Sequence, residues 1–514
     1  LWNGGIGTYI KSSAESHADV RDRANDSVRV DARDVRARVI GEGGNLGCTQ
    51  RGRIEYALAG GRINTDFIDN SAGVNTSDVE VNLKILLNAE ERAGRLRRAA
   101  RDRLLVRISD DVAAQVLRNN YLQSQAISMI EAQSGQRLSE LQHLIRSLER
   151  AGELDRALEF LPDDETLAER RRQGFGMTRP ELAVLLAYSK IALNRQLLDS
   201  DVPEDPYLGN ELARYFPPLV RRRFGSAIAR HRLRREIIAT ATTNSLVNRM
   251  GPSFVVRAHE DTGATPAAIA RAYTIAREVF AMRDIWQAIE KEDNRLPAAV
   301  QYQMMYDCSR LLRHSTYWLL RNRRRQLDID TSVREFRPYA ARLARDIARC
   351  LAGADLQRHA ARAERLQKSG VPAPLRGFLA GIEALDATWD LAELAAQHRV
   401  DIRTTAQLWF AGGARLGLDW LRAEIEQLSV DGQWQAVARA GLREAGARLQ
   451  RQLVERLLRH RSRGSVAARI DAWLGSLGEP LANWQRTLHE MRAAGGGDFA
   501  TLSVGIDALR KLVD

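Results

Sequence analysis

Arg36-Ala37-Arg38-Val39-Ile40-Gly41-Glu42-Gly43-Gly44-Asn45-Leu46-Gly47 is the stretch on which the reading of the fold turns. Its first five residues, ending in two β-branched side chains, predict a short strand. The glycines that follow predict a tight loop, because glycine alone enters positive φ freely. From Thr49 to Ala59 the spacing becomes helical, with Ile54 and Leu58 at i, i+4, and Gly60-Gly61 ends the run. Ile63 to Ile68 then predicts a second strand, Asn70-Ser71-Ala72-Gly73-Val74 a second loop, and Ser77-Asp78 the start of a long helix through Val81, Ile85 and Leu86. Strand, loop and helix, twice over, predict an α/β layer with a parallel sheet. Ligands of such sheets sit at the carboxyl ends of the strands, where both Gly/Asn loops fall.

Downstream the texture changes. Residues 89–514 are rich in Ala, Leu, Arg and Glu, with helical periodicity almost throughout, so an all-α region is expected to follow the α/β part. Ser109-Asp110-Asp111 predicts a helix cap ahead of Val112 and Val116. Thr178-Arg179-Pro180-Glu181 predicts a capping box with Pro in the first turn, leading into Leu182, Leu185 and Leu186. The helix through Ile237 and Ile238 should stop at Gly251-Pro252. Gly370 to Pro374, Gly412-Gly413 and Gly495-Gly496-Gly497 should punctuate later helices. No fixed-period repeat is present, which argues against a solenoid. The expected division is 1–105, 106–365 and 366–514.

The chain has 514 residues and a net charge of +12. Of its 77 Lys plus Arg, six are Lys (Lys11, Lys84, Lys190, Lys291, Lys368 and Lys511), so 71 are Arg. The Arg residues alternate with acids, as in Glu90-Glu91-Arg92, which reads as solvated helix faces rather than a nucleic-acid surface. Arg221-Arg222-Arg223 and Arg321 to Arg325 keep the nucleic-acid reading as a minor one. Cys48, Cys308 and Cys350 are sparse and odd in number, which favours the cytoplasm over a disulfide framework. The nine His lack metal-ligand spacing, so no metal is expected. No apolar run reaches eighteen residues, so no membrane span is expected. A chain opening Leu1-Trp2-Asn3-Gly4, with no charged-then-apolar leader, suggests a piece cut inside a domain.

The candidate site lies on the two loops. A Gly-rich turn alone often needs glycine only for its backbone angles, and that plainer reading of Gly43 and Gly44 stands until the second loop is added. Asn45 brings amide donors and an acceptor to the loop apex. Asn70, following a strand, can reach over the sheet edge. Ser77, at an expected helix start, can cap the helix and also help hold a carboxylate among unpaired N–H groups. His231, Arg232, Asn244, Ser245 and Asn248 read as structural polar contacts. Trp318, Trp409 and Trp420 read as core.

Gly41-Glu42-Gly43-Gly44-Asn45 resembles the Glu-Gly-Ala-Asn-type loop of glutamate dehydrogenases, and Asn70 to Ser77 is similar to their Asn-Ala-Gly-Gly-Val-x-x-Ser segment. Leu1 to Tyr9, Gly61 to Asp69, Met177 to Lys190 and Leu233 to Thr240 resemble the large, NAD-specific bacterial class. The resemblance is dense to about Gly251 and looser beyond it. It implies oxidative deamination of L-glutamate to 2-oxoglutarate and ammonia with NAD as cofactor, in a homo-oligomer. By resemblance, Asn45, Gly43, Gly44 and Asn70 border the cofactor, and Ser77 and Asn70 the substrate. Val79 stands where that class would place a polar rim residue. The expected fold is then the distal part of a Rossmann-like dinucleotide-binding domain followed by a large C-terminal helical region.

The family's catalytic lysine and aspartate, its lysine for the substrate α-carboxylate and its dinucleotide fingerprint have no match here. Lys11 and Lys84 are assigned no catalytic role, and the catalytic residues are expected upstream of Leu1. A non-catalytic helical scaffold for oligomerisation or regulation is the rival reading.

Overall fold

The computed structural model describes residues 1–325, 327–430, 433–460 and 464–513. The chain divides into two compact units, Leu1–Tyr273 with Leu320–Leu327, and Thr274–Leu319 with Asp328–Asp514. A large helical region is present as expected.

The first unit opens with four two-residue strands, β1 (Trp2–Asn3), β2 (Ile10–Lys11), β3 (Val30–Asp31) and β4 (Gly41–Glu42). They form two small parallel sheets, β1 with β4 and β2 with β3. Parallel pairing was legible, but the sheet is far smaller than a doubly wound layer. The expected strand 36–40 contributes only an isolated bridge from Val39 to Arg62, and ladder pairing begins at Gly41. Beneath the sheets Ile10, Ala32, Ile40, Cys48, Tyr56 and Ile63 form a small core.

Helix α1 (Gln50–Leu58) lies where its spacing places it, with the Thr49 hydroxyl accepting from Gly52 N. The expected strand 63–68 is corrected. Asp66–Asp69 forms a short helix, α2, and α3 runs Ser71–Arg92. The long helix therefore starts six residues before Ser77, and the segment Asn70 to Val74 is a helix junction rather than a loop. Val79 is buried in the α3 packing face, so it is no rim residue. Helix α4 (Ser109–Gln133) follows, but Ser109 does not cap it. Helix Arg98–Arg107 runs almost straight into α4, and the Ser109 hydroxyl donates back to the Leu105 carbonyl at 3.1 Å.

Helix α5 (Arg179–Leu198) begins with the expected capping box. Its Glu181 is buried and also takes two hydrogen bonds from Arg170, at 2.8 and 2.9 Å. Helix α6 (Arg234–Met250) stops at Gly251, whose φ of 86° only glycine adopts without strain. Many arginines are thus absorbed by carboxylates of the same unit.

In the second unit the fully buried Trp389 packs against Phe336, Trp318 and Phe280 with ring centroids 4.9, 5.7 and 5.9 Å away. Gly412-Gly413 does not punctuate. Both lie inside helix Ile402–Arg415, which packs on helix Gln433–Arg459. A Cβ on Gly413 would stand 2.8 Å from Gln450 Nε2, and one on Gly412 3.0 Å from Leu457 Cδ1. These glycines permit close helix approach. Among the described residues no helix is long and apolar enough to cross a membrane.

Candidate functional site

β1 and β4 pair in parallel, with Trp2 opposite Gly41 and Asn3 opposite Glu42. The chain turns immediately after β4. Gly43 N and Gly44 N both donate to the Asn3 carbonyl, at 2.8 and 3.1 Å. Side chains there have no room. A Cβ on Gly43 would stand 2.3 Å from the Trp2 ring, and one on Gly44 2.3 Å from the Gly5 carbonyl oxygen. Glycine at these positions lets the loop fold against the chain's own first residues.

The loop then lifts Asn45 into solvent. Leu46 is left-handed, φ 58°, a strained conformation for a branched side chain. Two bonds hold it there. Leu46 N donates to Asp66 Oδ2 at 2.8 Å, and the Thr8 hydroxyl donates to the Leu46 carbonyl at 2.7 Å.

Asn70 stands at the junction of α2 and α3. Its Nδ2 donates to Asn45 Oδ1 at 3.0 Å, so two residues 25 positions apart meet side chain to side chain at an exposed edge. Gly73, one turn into α3, makes that possible, since a Cβ there would stand 2.6 Å from Asn70 Oδ1. Ser77 is exposed and lies within α3, so its expected role as helix cap is corrected. It does share a helix face with Asn70. Seven residues are two turns, about 10 Å along the axis.

Beneath the glycine loop and the helix junction lies a polar network that sequence reading missed. Glu42 is fully buried, taking Arg53 Nε at 2.8 Å, Arg53 Nη2 at 2.9 Å and Cys48 N at 3.0 Å. Arg53 reaches on to Asp66 at 3.2 Å. Burial works against the Arg53 charge, but its bonds to Glu42 outweigh that and raise its pKa. Glu42 N donates to Asp69 Oδ2 at 3.0 Å, and Asn64 Nδ2 to Asp69 Oδ1 at 2.7 Å. Burial pushes the Asp69 carboxyl upward, opposed by those two bonds. Arg179, at the start of α5, donates from Nε to Asn64 Oδ1 at 3.0 Å. Asn120 of α4 donates to the Ile68 carbonyl at 2.7 Å and to Ser71 Oγ at 3.0 Å. One signal was available. Glu42 is a carboxylate inside a run of glycines, and Arg53 falls on the inner side of the next helix.

The other candidates take structural places. Lys11 is buried against Asp31, and Lys84 pairs with Glu80 one turn away. Cys48 is buried, and burial followed by the neighbouring Glu42 carboxylate pushes its thiol well up, the setting of a structural cysteine. His231 is buried with Nε2 at 3.1 Å from the Asn82 carbonyl. The Ser245 hydroxyl lies 3.2 Å from that of Tyr273.

Two family models match the sequence. That of the bacterial NAD-glutamate dehydrogenase catalytic domain covers residues 1–130, and that of the glutamate dehydrogenase C-terminal region covers residues 174–511. The chain belongs to the glutamate dehydrogenase family. Proteins named NAD-specific glutamate dehydrogenase are similar to it over its whole length, with 44% identity in Pseudomonas aeruginosa, 43% in Halomonas elongata and 37% in Mycobacterium tuberculosis. The chain spans 32% of the length of each of these relatives. Both Asn45 and Asn70 fall within the stretch matched by the catalytic-domain model of this family.

Proposed function

We propose that in the full-length protein this chain forms one edge of the active site of an NAD-dependent glutamate dehydrogenase, which oxidatively deaminates L-glutamate to 2-oxoglutarate and ammonia. The observation that carries the reading is the meeting of Asn45 and Asn70 just past the carboxyl end of β4. In a parallel arrangement that edge is where ligands sit.

The donor set fits the carboxamide end of NAD. The side-chain amides of exposed Asn45 and half-buried Asn70 offer both donors and acceptors, the complement of a primary carboxamide. The chemistry NAD supplies when bound is acceptance of a hydride. Gly43 and Gly44 have committed their N–H groups to Asn3, so their part is to shape the loop that brings Asn45 out. Asn70 orients the substrate amino end. Ser77, two turns along the same face, takes a substrate carboxylate through its hydroxyl. Lys11 and Lys84 are engaged with Asp31 and Glu80, which leaves the acid/base groups to the remainder of the longer protein. We assign residues 1–105 to the distal part of a Rossmann-like cofactor domain, and 106–365 and 366–514 to helical parts.

The test uses the full-length enzyme with L-glutamate and NAD, following absorbance of the reduced cofactor. A hydrogen bond to a charged group contributes about 1.5–3 kcal/mol. Ser77→Ala should therefore raise the glutamate KM about tenfold while changing the NAD KM little. No glutamate-dependent reduction in the parent enzyme contradicts the function. An unchanged glutamate KM in the variant removes Ser77 from the site.

A further inference from the structure

Asn120 stands on α4, fifty residues beyond Asn70, and is half-buried. Its Nδ2 faces three oxygens, the Ile68 carbonyl at 2.7 Å, the Asp69 carbonyl at 3.3 Å and Ser71 Oγ at 3.0 Å. Ile68 and Asp69 close α2, and Ser71 opens α3. One side chain thus grips two backbone carbonyls just before Asn70 and the Ser71 hydroxyl just after it. An amide nitrogen suits that position because it brings two hydrogens to a cluster of acceptors. A second helix works on the same turn from the side-chain direction. Arg179 holds Asn64, and Asn64 holds the Asp69 carboxylate. Among the described residues the Asn70 side chain is held by its bond to Asn45, so its aim depends on the turn beneath it.

We propose that Asn120 is a positioning residue for glutamate oxidation: it fixes the Asp69–Ser71 turn and thereby aims the Asn70 amide into the site. The inference rests on the reading of Asn70 as a site residue. It gives α4 an indirect part in catalysis, through the turn that carries Asn70.

The test is a set of variants in the full-length enzyme: Asn120→Ala, Asn120→Asp, Asn120→Gln, Asn70→Ala and the Asn70→Ala/Asn120→Ala double. Asn120→Ala should lower kcat about tenfold or more, the scale of a displaced catalytic geometry, with the NAD KM changed less than about twofold. Asn120→Asp keeps the shape but faces three acceptors without a hydrogen, so it should lose at least as much. Asn120→Gln keeps the donor and should recover part of the loss. In the Asn70→Ala background, Asn120→Ala should cost nothing further, because nothing is left to aim. Parent-like kcat in Asn120→Ala, or losses that multiply in the double variant, overturn the proposal. Should Asn120→Ala not fold, equal kcat in the Gln and Asp variants overturns it. Normal kcat in Asn70→Ala instead defeats the reading of Asn70 itself, whatever Asn120 does.

Discussion

Around the site the buried centre is a charged pair, Glu42 with Arg53, roofed by backbone N–H bonds to Asp66 and Asp69. In the unit that starts at Thr274 the corresponding place is taken by Trp389 among Phe336, Trp318 and Phe280. Glycine also serves different ends in the two. Gly43 and Gly44 let a loop fold onto Trp2 and Gly5, and Gly73 clears space for a polar side chain. Gly412 and Gly413 let two helices approach. Apolar packing is non-directional and tolerates small shifts, whereas hydrogen-bonded carboxylates fix angles as well as distances. The Asn45–Asn70 edge rests on the second kind of support. The ring cluster rests mainly on the first, with Trp389 Nε1 donating to Ser315 Oγ at 2.9 Å.

The largest expected effect comes from removing one member of the buried pair. Arg53→Ala leaves Glu42 buried and unpaired, and should lower the unfolding free energy by about 3–5 kcal/mol. Trp389→Ala should cost a similar amount through a cavity, about 3–5 kcal/mol. Denaturant unfolding of both variants, with turnover measured below the transition, separates the two regions. Turnover of the remaining folded enzyme should fall in the Arg53 variant and persist in the Trp389 variant. The same loss in both would break the comparison.

A smaller effect belongs to Glu140, in the helical part of the first unit. Burial raises its pKa, but Arg137 and Arg257 outweigh burial and hold it at about 2. Its folded pKa is depressed, so its contribution is present above the unfolded value, about 4.3. That contribution is lost as pH falls from about 5 toward 2, and integrates to roughly 2–3 kcal/mol. Glu140→Gln should flatten the acid limb of a stability–pH curve over that window. An unchanged limb contradicts the assignment.

Smaller still, and of opposite sign, are the two helix glycines. Gly413→Ala drives a Cβ against Gln450, whose amide is bonded to the Trp409 carbonyl, and should cost about 1–3 kcal/mol. Gly73→Ala meets only the far end of the Asn70 side chain. It should leave the thermal midpoint unchanged or raise it by the helix gain of up to about 1 kcal/mol, yet lower turnover about tenfold by displacing that amide. Calorimetry and steady-state rates on the pair read both outcomes. A destabilised Gly73 variant with normal turnover would remove the steric link to Asn70.

Much of the helical framework was legible. The Thr178–Glu181 box and Gly251 act as sequence-local signals because a cap needs only neighbours within a turn. The errors lie where distant residues decide. Ile63, Thr65 and Ile68 suggested a strand, but the Asp66 carboxylate is claimed by Leu46 N and Arg53, and the chain coils there into α2. Gly73 suggested a loop, and Gly412-Gly413 a helix end. Each is instead a helical glycine whose missing Cβ makes room for a side chain brought in by the fold. Asn45 and Asn70 can be named as candidates one at a time from the sequence. Their contact, and the Glu42–Arg53 support beneath it, depend on tertiary structure that no local spacing encodes.

The most direct test of the Asn45–Asn70 edge is turnover measured beside thermal unfolding for Asn45→Ala and Asn70→Ala in the full-length enzyme. Both side chains are at an exposed edge and bury little, so the unfolding midpoint should stay where it is in the parent protein. Turnover should fall about a hundredfold, the scale of a misplaced reactant. Normal turnover in both variants, or a midpoint that falls in step with activity, contradicts the account.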